Sequence, residues 1–364
     1  MEYRLNRRTG DSLSVIGVGS AYLGKAERDE GVRALRAAFE GGINFFDLAA
    51  GDGRAFPLWG EALGDVRDRV RYQIHFGADY THGAYAWTLE KDAVLRSVDW
   101  QLSRLRTDTI DYGFIHCQDE LSDWEAYRKN GVYSCLLRLK EEGVVRHIGL
   151  SSHTPAVAGR ILDEVPVDQL MFSLNPAYDR GCGEFANGSA DERGALCRRC
   201  AREGIGISVM KPFSGGQLLS AAQSPLGRAL TARQCLRYAL DAPGVLTAMC
   251  GVRNAADVHA LLHVFDGPEE EPAFTPGDSP ESAQAAERCV YCNHCQPCPA
   301  GLDIGLINKC YDLARAGDGM AAEHYRQLSR TAKNCTGCGH CDKRCPFRVR
   351  QSARMAEIAR YFGK

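Results

Sequence analysis

Eight short runs of β-branched and apolar residues, each followed by an amphipathic stretch, set the tightest limit on how the first 265 residues fold. Strands are expected at 15–18, 43–46, 70–76, 110–116, 145–150, 169–172, 205–210 and 246–250. Among the intervening stretches, 30–40, 89–104, 190–202 and 232–240 carry the clearest helical spacing. Eight βα units in about 250 residues is the count of a (β/α)8 TIM barrel. The competing architecture, an open doubly wound sheet, calls for a glycine-rich phosphate loop after its first strand. Gly17-x-Gly19 is followed by Ser20-Ala21-Tyr22 and lacks the third glycine, so the barrel is preferred.

In such a barrel the chemistry gathers where strands end. Asp47 closes the second strand, His75 lies near the end of the third, and His116 closes the fourth. Ser151-Ser152-His153, Asn175, Lys211 and Arg253 mark the later ends. Adjacent strands are only about 4.8 Å apart, so Asp47, His75 and His116 are expected to converge as a proton-handling group. Two other readings compete: Asp47 as a helix cap, and His75, His116 and His153 as three ligands of a metal ion.

The tail has a different character. Of 16 cysteines, eight fall in two runs, Cys289-x2-Cys292-x2-Cys295-x2-Cys298-Pro299 and Cys335-x2-Cys338-x2-Cys341-x3-Cys345-Pro346. Zinc usually takes two short ligand pairs, which these runs do not form. Three close thiolates and a crossing Cys-Pro cysteine suit two [4Fe-4S] clusters. One set is Cys289, Cys292, Cys295 and Cys345; the other is Cys335, Cys338, Cys341 and Cys298. The first run has two residues rather than three before its Cys-Pro. Helical patterns at 304–314 and 321–332 separate the runs, so residues 285–364 resemble an α-helical ferredoxin-like domain. An acidic, proline- and glycine-containing linker, 266–284, joins it to the barrel at 1–265. The whole chain carries 44 Lys+Arg against 46 Asp+Glu, which gives no electrostatic case for nucleic acid or membrane binding. With no spanning apolar run and no signal-peptide layout at Met1-Glu2-Tyr3-Arg4, a cytoplasmic location is expected.

The barrel segments together resemble the aldo-keto reductase superfamily. The matching stretches are Gly42-Ile43-Asn44-Phe45-Phe46-Asp47, Thr109 through His116, Gly143 through Ser151, Val209-Met210-Lys211-Pro212 and Gly251-Val252-Arg253-Asn254. The tail is similar to that of a branch carrying a C-terminal ferredoxin-type domain. The resemblance implies a catalytic set of Asp, Tyr, Lys and His. Asp47 and His116 match two members, while Asp52 stands in the tyrosine's place and His75 in the lysine's. Tyr22, Tyr80, Tyr85 and Tyr178 are the candidates for a replacement phenol. It also implies NADP(H) contacts at Lys211, Arg253 and Asn254.

The resulting expectation is an iron–sulfur oxidoreductase of a small carbonyl or activated double bond, with electrons passing through two [4Fe-4S] clusters. Basic residues around the second run, Lys343, Arg344, Arg348, Arg350 and Arg354, suggest an acidic electron carrier such as a ferredoxin or flavodoxin as partner. The alternatives are a conventional NADP(H)-dependent reductase with accessory clusters, an electron-transfer subunit with a degenerate barrel, and a non-redox lyase or isomerase.

Overall fold

The computed structural model describes residues 1–49, 53–83, 85–182, 186–221, 223–267, 289, 295, 297–315, 319–345 and 349–363. Asp52, Cys292, Pro346, Arg348 and nearly all of the 266–284 linker lie outside the described residues.

Eight parallel strands close into a barrel in sequence order: β1 (Ile16–Gly19), β2 (Phe45–Asp47), β3 (Arg71–Phe76), β4 (Ile110–Ile115), β5 (Val145–Ser152), β6 (Gln169–Ser173), β7 (Gly206–Met210) and β8 (Val245–Gly251). Each expected strand is present, with ends shifted by one or two residues. Both faces of these strands are covered, so they read in sequence as continuous apolar runs rather than alternating ones. Inside the barrel, Phe45, Tyr112, Phe114, Met171, Met210, Leu246 and Met249 form a packed layer. Two glycines make room for it: a Cβ on Gly149 would lie 2.5 Å from the Phe114 ring, and one on Gly17 would lie 2.5 Å from Met249 Sδ. Gly17 therefore serves close packing, which accounts for a Gly-x-Gly without a phosphate loop.

The outer ring comprises α1 (Arg28–Glu40), α2 (Ala55–Leu63), α3 (Lys91–Leu105), α4 (Leu121–Lys129), α5 (Val132–Glu141), α6 (Pro155–Glu164), α7 (Ala190–Glu203), α8 (Ala232–Leu240) and α9 (Ala255–Leu262). Capping boxes start α7 at Ser189/Glu192 and α8 at Thr231/Gln234. Two short antiparallel hairpins are additional to the expected elements. Tyr3–Leu5 pairs with Ser12–Ser14, and Ala78–Asp79 pairs with Ala86–Trp87 after β3.

The tail contributes α10 (Ile304–Arg315), α11 (Gly319–Gln327), α12 (His340–Arg344) and α13 (Gln351–Phe362). The pattern at 321–332 is not one helix. It stops at Gln327, and a separate 3-10 turn, Ala332–Asn334, begins with Thr331 and Asn334 capping each other. The Tyr325 hydroxyl holds this turn by accepting the Ala332 amide at 3.1 Å, and Phe362 stacks on the Tyr325 ring with centroids 3.9 Å apart. Arg354, expected in a surface basic patch, is half-buried and binds Asn308 and Asp312 of α10. Its charge is spent on joining α13 to α10, whereas Lys343, Arg344 and Arg350 are exposed.

The helical tail packs against the barrel mouth. Leu313 of α10 and Ala321 of α11 share an apolar cluster with Ala177, Tyr178, Leu218 and Leu226 from barrel loops. Helix α11 also contacts the strand Ala86–Trp87. No helix of the described residues is long and apolar enough to cross a membrane.

Candidate active site and cysteine cleft

Asp47 is the last residue of β2 and pairs in register with Gln73 of β3. Because side chains alternate along a strand, Gln73 and His75 face the same side. Both meet Asp47: Gln73 Nε2 donates to Asp47 Oδ1 at 2.7 Å, and His75 Nε2 lies 2.8 Å from the same oxygen. His116, one residue beyond β4, places Nδ1 3.1 Å from His75 Nδ1. The three residues singled out in the sequence are thus in direct contact, and all are buried. Burial, followed by the neighbouring His75, pushes the His116 imidazole well below its ordinary range, so it is neutral at pH 7.

The chain of contacts continues. The Tyr85 hydroxyl lies 2.9 Å from His116 Nε2 and 3.1 Å from His324 Nε2 of α11. Tyr85 immediately precedes the second strand of the hairpin after β3, and that hairpin carries the phenol inward over His116. Of the four candidate tyrosines, this is the one brought to His116. Tyr22 lies across Gly251 instead.

A second polar group stands beside the first. His153 Nδ1 lies 2.8 Å from Asp119 Oδ2, and the His153 amide donates to Asp119 Oδ1 at 2.6 Å. Cys117 Sγ lies 3.9 Å from Asp119 Oδ2, on a residue with φ of 49°. Burial pulls the Asp119 carboxyl up, but His153 and Lys309 of α10 outweigh it and hold the group well below the usual carboxylate range. Burial in turn pushes His153 down and the Cys117 thiol well up. The three histidines do not face one common point: His75 and His116 bond each other, while His153 turns to Asp119. Among the described residues, the group whose ligand atoms approach within 4.8 Å is instead Cys117, Asp119 and His153. Lys309 already balances charge there.

The residues expected to contact a nucleotide have local duties. Asn254 caps α9 by accepting the Asp257 amide at 2.9 Å. Arg253, largely exposed, forks onto Asp257 with Nε at 2.9 Å and Nη2 at 3.1 Å. Lys211 follows β7 in a left-handed conformation, φ 57°, and its carbonyl accepts Asn175 Nδ2 at 2.9 Å. Asn175 thereby ties the end of β6 to the end of β7.

In the tail, Cys298 from the first run and Cys335, Cys338 and Cys341 from the second line a single cleft, together with Pro299, His340 and Met355. Gly337 and Gly339, both at φ 69°, supply left-handed turns between the cysteines that a side chain would resist. The Gly337 amide donates to Cys335 Sγ at 3.4 Å. Backbone and Thr336 hydrogen bonds lower the Cys338 thiol. From the other set, Cys289 and Cys295 are buried, and Gln351 Nε2 donates to Cys289 Sγ at 3.4 Å. Among the described residues no cysteine is in a disulfide. A separate surface cleft near α4 and α6, lined by Trp124, Arg128, Arg160 and Glu164, contains none of these residues.

Sequence reasoning located Asp47, His75 and His116 but not Gln73, Asp119, Lys309 or His324. Gln73 was detectable, since it shares the His75 face two residues away. Lys309 and His324 had no local signal, because tail docking brings them to the mouth.

Residues 15–231 match the model of the Aldo/keto reductase family. The match ends before either cysteine run. L-galactose dehydrogenase of Arabidopsis thaliana is 29% identical over 174 residues, 46% of this chain and 53% of that protein. The chain thus spans about half the length of that relative. Aldo-keto reductase YhdN of Bacillus subtilis is 23% identical over 300 residues, 72% of this chain and 88% of its own. Among solved structures, the holo form of aldo-keto reductase AKR11C1 from Bacillus halodurans superposes with a TM-score of 0.61 at 22% identity. That superposition covers 74% of this chain and 92% of the other and speaks to the fold.

Proposed function

Since the chain belongs to the aldo/keto reductase family, we propose that it is an oxidoreductase of a small carbonyl or activated double bond, with two [4Fe-4S] clusters in its tail as the electron route. The observation that carries this reading is the single cleft shared by Cys298 and the three cysteines of the second run. That crossing of one Cys-Pro cysteine to the other run is the ligand pattern of a two-cluster ferredoxin. The donor set of thiolates braced by N–H groups also fits a cluster. Cys335, Cys338, Cys341 and Cys298 would hold one cluster, and Cys289, Cys292, Cys295 and Cys345 the other. Such clusters supply single electrons at low potential.

At the mouth, Tyr85 is the proton donor to the substrate oxygen, replacing the phenol expected five residues after Asp47. His116 orients the phenol through its Nε2 contact, and His75 and Asp47 fix the His116 ring from behind. Two electrons and two protons convert a carbonyl to an alcohol, and Tyr85 delivers one of those protons. Gln73 holds the Asp47 carboxylate in place.

A second reading, a conventional NADP(H)-dependent reductase, is favoured by the Tyr85–His116 contact, which suits hydride-driven carbonyl reduction equally well. Against it stand a histidine in the lysine's place and the local engagement of Arg253 and Asn254. Anaerobic purification with iron and sulfide analysis tests the cluster assignment. About eight of each per chain are expected, and Cys298→Ser should lose the same cluster as Cys335→Ser. Stoichiometric zinc without sulfide would overturn it.

A further inference from the structure

The hydrogen-bonded chain from Asp47 to the tail has a direction that follows from donor and acceptor counting. An ionised carboxylate only accepts, so His75 Nε2 carries a proton and donates it to Asp47. With that single ring proton on Nε2, His75 Nδ1 is bare and accepts from His116 Nδ1–H. Neutral His116 is left with a bare Nε2, and the Tyr85 O–H donates to it. The Tyr85 oxygen therefore accepts from His324, whose Nε2 bears a proton. Every proton in the chain points from the tail toward Asp47.

Burial follows the same gradient. Asp47, His75, His116 and Tyr85 are buried, whereas His324 is half-buried and meets solvent. We propose that His324 is the port through which solvent protons reach Tyr85, so that a tail residue completes the barrel's active site. The inference rests on the reading of Tyr85 as proton donor. When substrate binds, the Tyr85 O–H turns from His116 Nε2 to the substrate oxygen; as that O–H bond breaks and its proton joins the substrate oxygen, the His324 Nε2 proton passes to the Tyr85 oxygen. His324, which meets solvent, is refilled by a proton from water. The electron pair comes from the reductant: a hydride from NADPH, which also brings the hydrogen that ends on carbon, or two single electrons from a low-potential carrier, with water supplying that second proton. His324 touches the donor rather than the substrate and is a positioning residue that relays.

The arrangement makes tail docking a condition for turnover. Helix α11 must be seated against the Ala86–Trp87 strand for His324 to reach Tyr85. A barrel with a displaced tail would keep Asp47, His75 and His116 in contact but would lose its proton supply.

The test uses the full chain with uniformly labelled histidines. In 15N NMR at neutral pH, His324 is expected as the Nε2–H tautomer and His116 as the Nδ1–H tautomer, with both signals moving in Tyr85→Phe. His324→Gln keeps an N–H for the Tyr85 oxygen but cannot relay. It should retain fold and iron content while kcat falls about a hundredfold with KM little changed. His324→Ala should regain much of the loss with added imidazole. A His324 found with a bare Nε2, or a His324→Gln enzyme of full kcat, overturns the proposal. The tautomers are read without substrate, so failure of the cluster assignment leaves this test standing.

Discussion

His75 Nδ1 and His116 Nδ1 lie 3.1 Å apart, in contact through the nitrogens that face neither Asp47 nor Tyr85. Two imidazoles this close cannot both be charged at modest cost, and a proton arriving on one is felt by the other. The pair links a carboxylate on β2 to a phenol carried by a separate hairpin. On the proposed reading, two rings in series stand where a lysine would lie beside the tyrosine.

Groups that act in series should fail together. Asp47→Ala, His75→Ala and His116→Ala are each expected to lower kcat by about 10²- to 10⁴-fold, and the double variants to lose little more than the worst single one. Steady-state kinetics on protein of unchanged iron content checks this. Additive losses, or a fully active His75→Ala, would show that the rings do not form one unit.

Tyr85→Phe removes the hydroxyl between His116 and His324 while keeping the ring, which is buried against Tyr80. The expected result is a loss of kcat of at least about a hundredfold with a nearly unchanged melting temperature. Retained activity would return the donor's role to one of the other tyrosines.

Acid should weaken the fold by forcing charge onto buried imidazoles. Burial, first among the causes, holds both His116 and His153 below the usual imidazole range. In the unfolded chain both titrate near about pH 6.5. Below that pH the unfolded state binds more protons than the folded one, so stability is full above about pH 6.5 and declines as pH falls. Melting temperatures measured from about pH 7.5 to 5 should drop, and His153→Asn should give a shallower slope. An unchanged slope in that variant would contradict the burial argument.

The interior layer offers a separate check on the barrel. Gly149→Ala would press a methyl group into the Phe114 ring and is expected to cost about 1–3 kcal/mol in denaturant unfolding. A neutral effect would mean that Phe114 is free to repack.

The barrel was legible in sequence because its strands are covered on both faces and interrupted by helices of regular spacing. The segment 232–240 is a case in point, since Thr231 caps its start and the observed helix is Ala232–Leu240. Asp47, His75 and His116 were legible for a related reason: strand ends in a closed barrel converge whatever the loops do. Tyr85 was only one of four candidates, since a two-residue strand after a turn at Gly83 decides where its ring points. His324 and Lys309 were invisible because tail packing, a long-range event, brings them in. The 321–332 pattern misled because Thr331 can cap a new turn as readily as a helix can run on. Arg354 likewise looked like a surface charge in sequence, yet Asp312 and Asn308 one helix away claim it.

Electrons are proposed to reach the barrel through the tail, and the choice of electron donor decides between the two routes. Holoprotein should turn over a carbonyl or activated double bond with a reduced low-potential protein carrier, at a rate that falls as salt rises because Lys343, Arg344 and Arg350 are exposed to it. It should show little turnover with NADPH alone. Robust NADPH turnover by protein stripped of its iron would contradict the account and assign the chemistry to a conventional reductase.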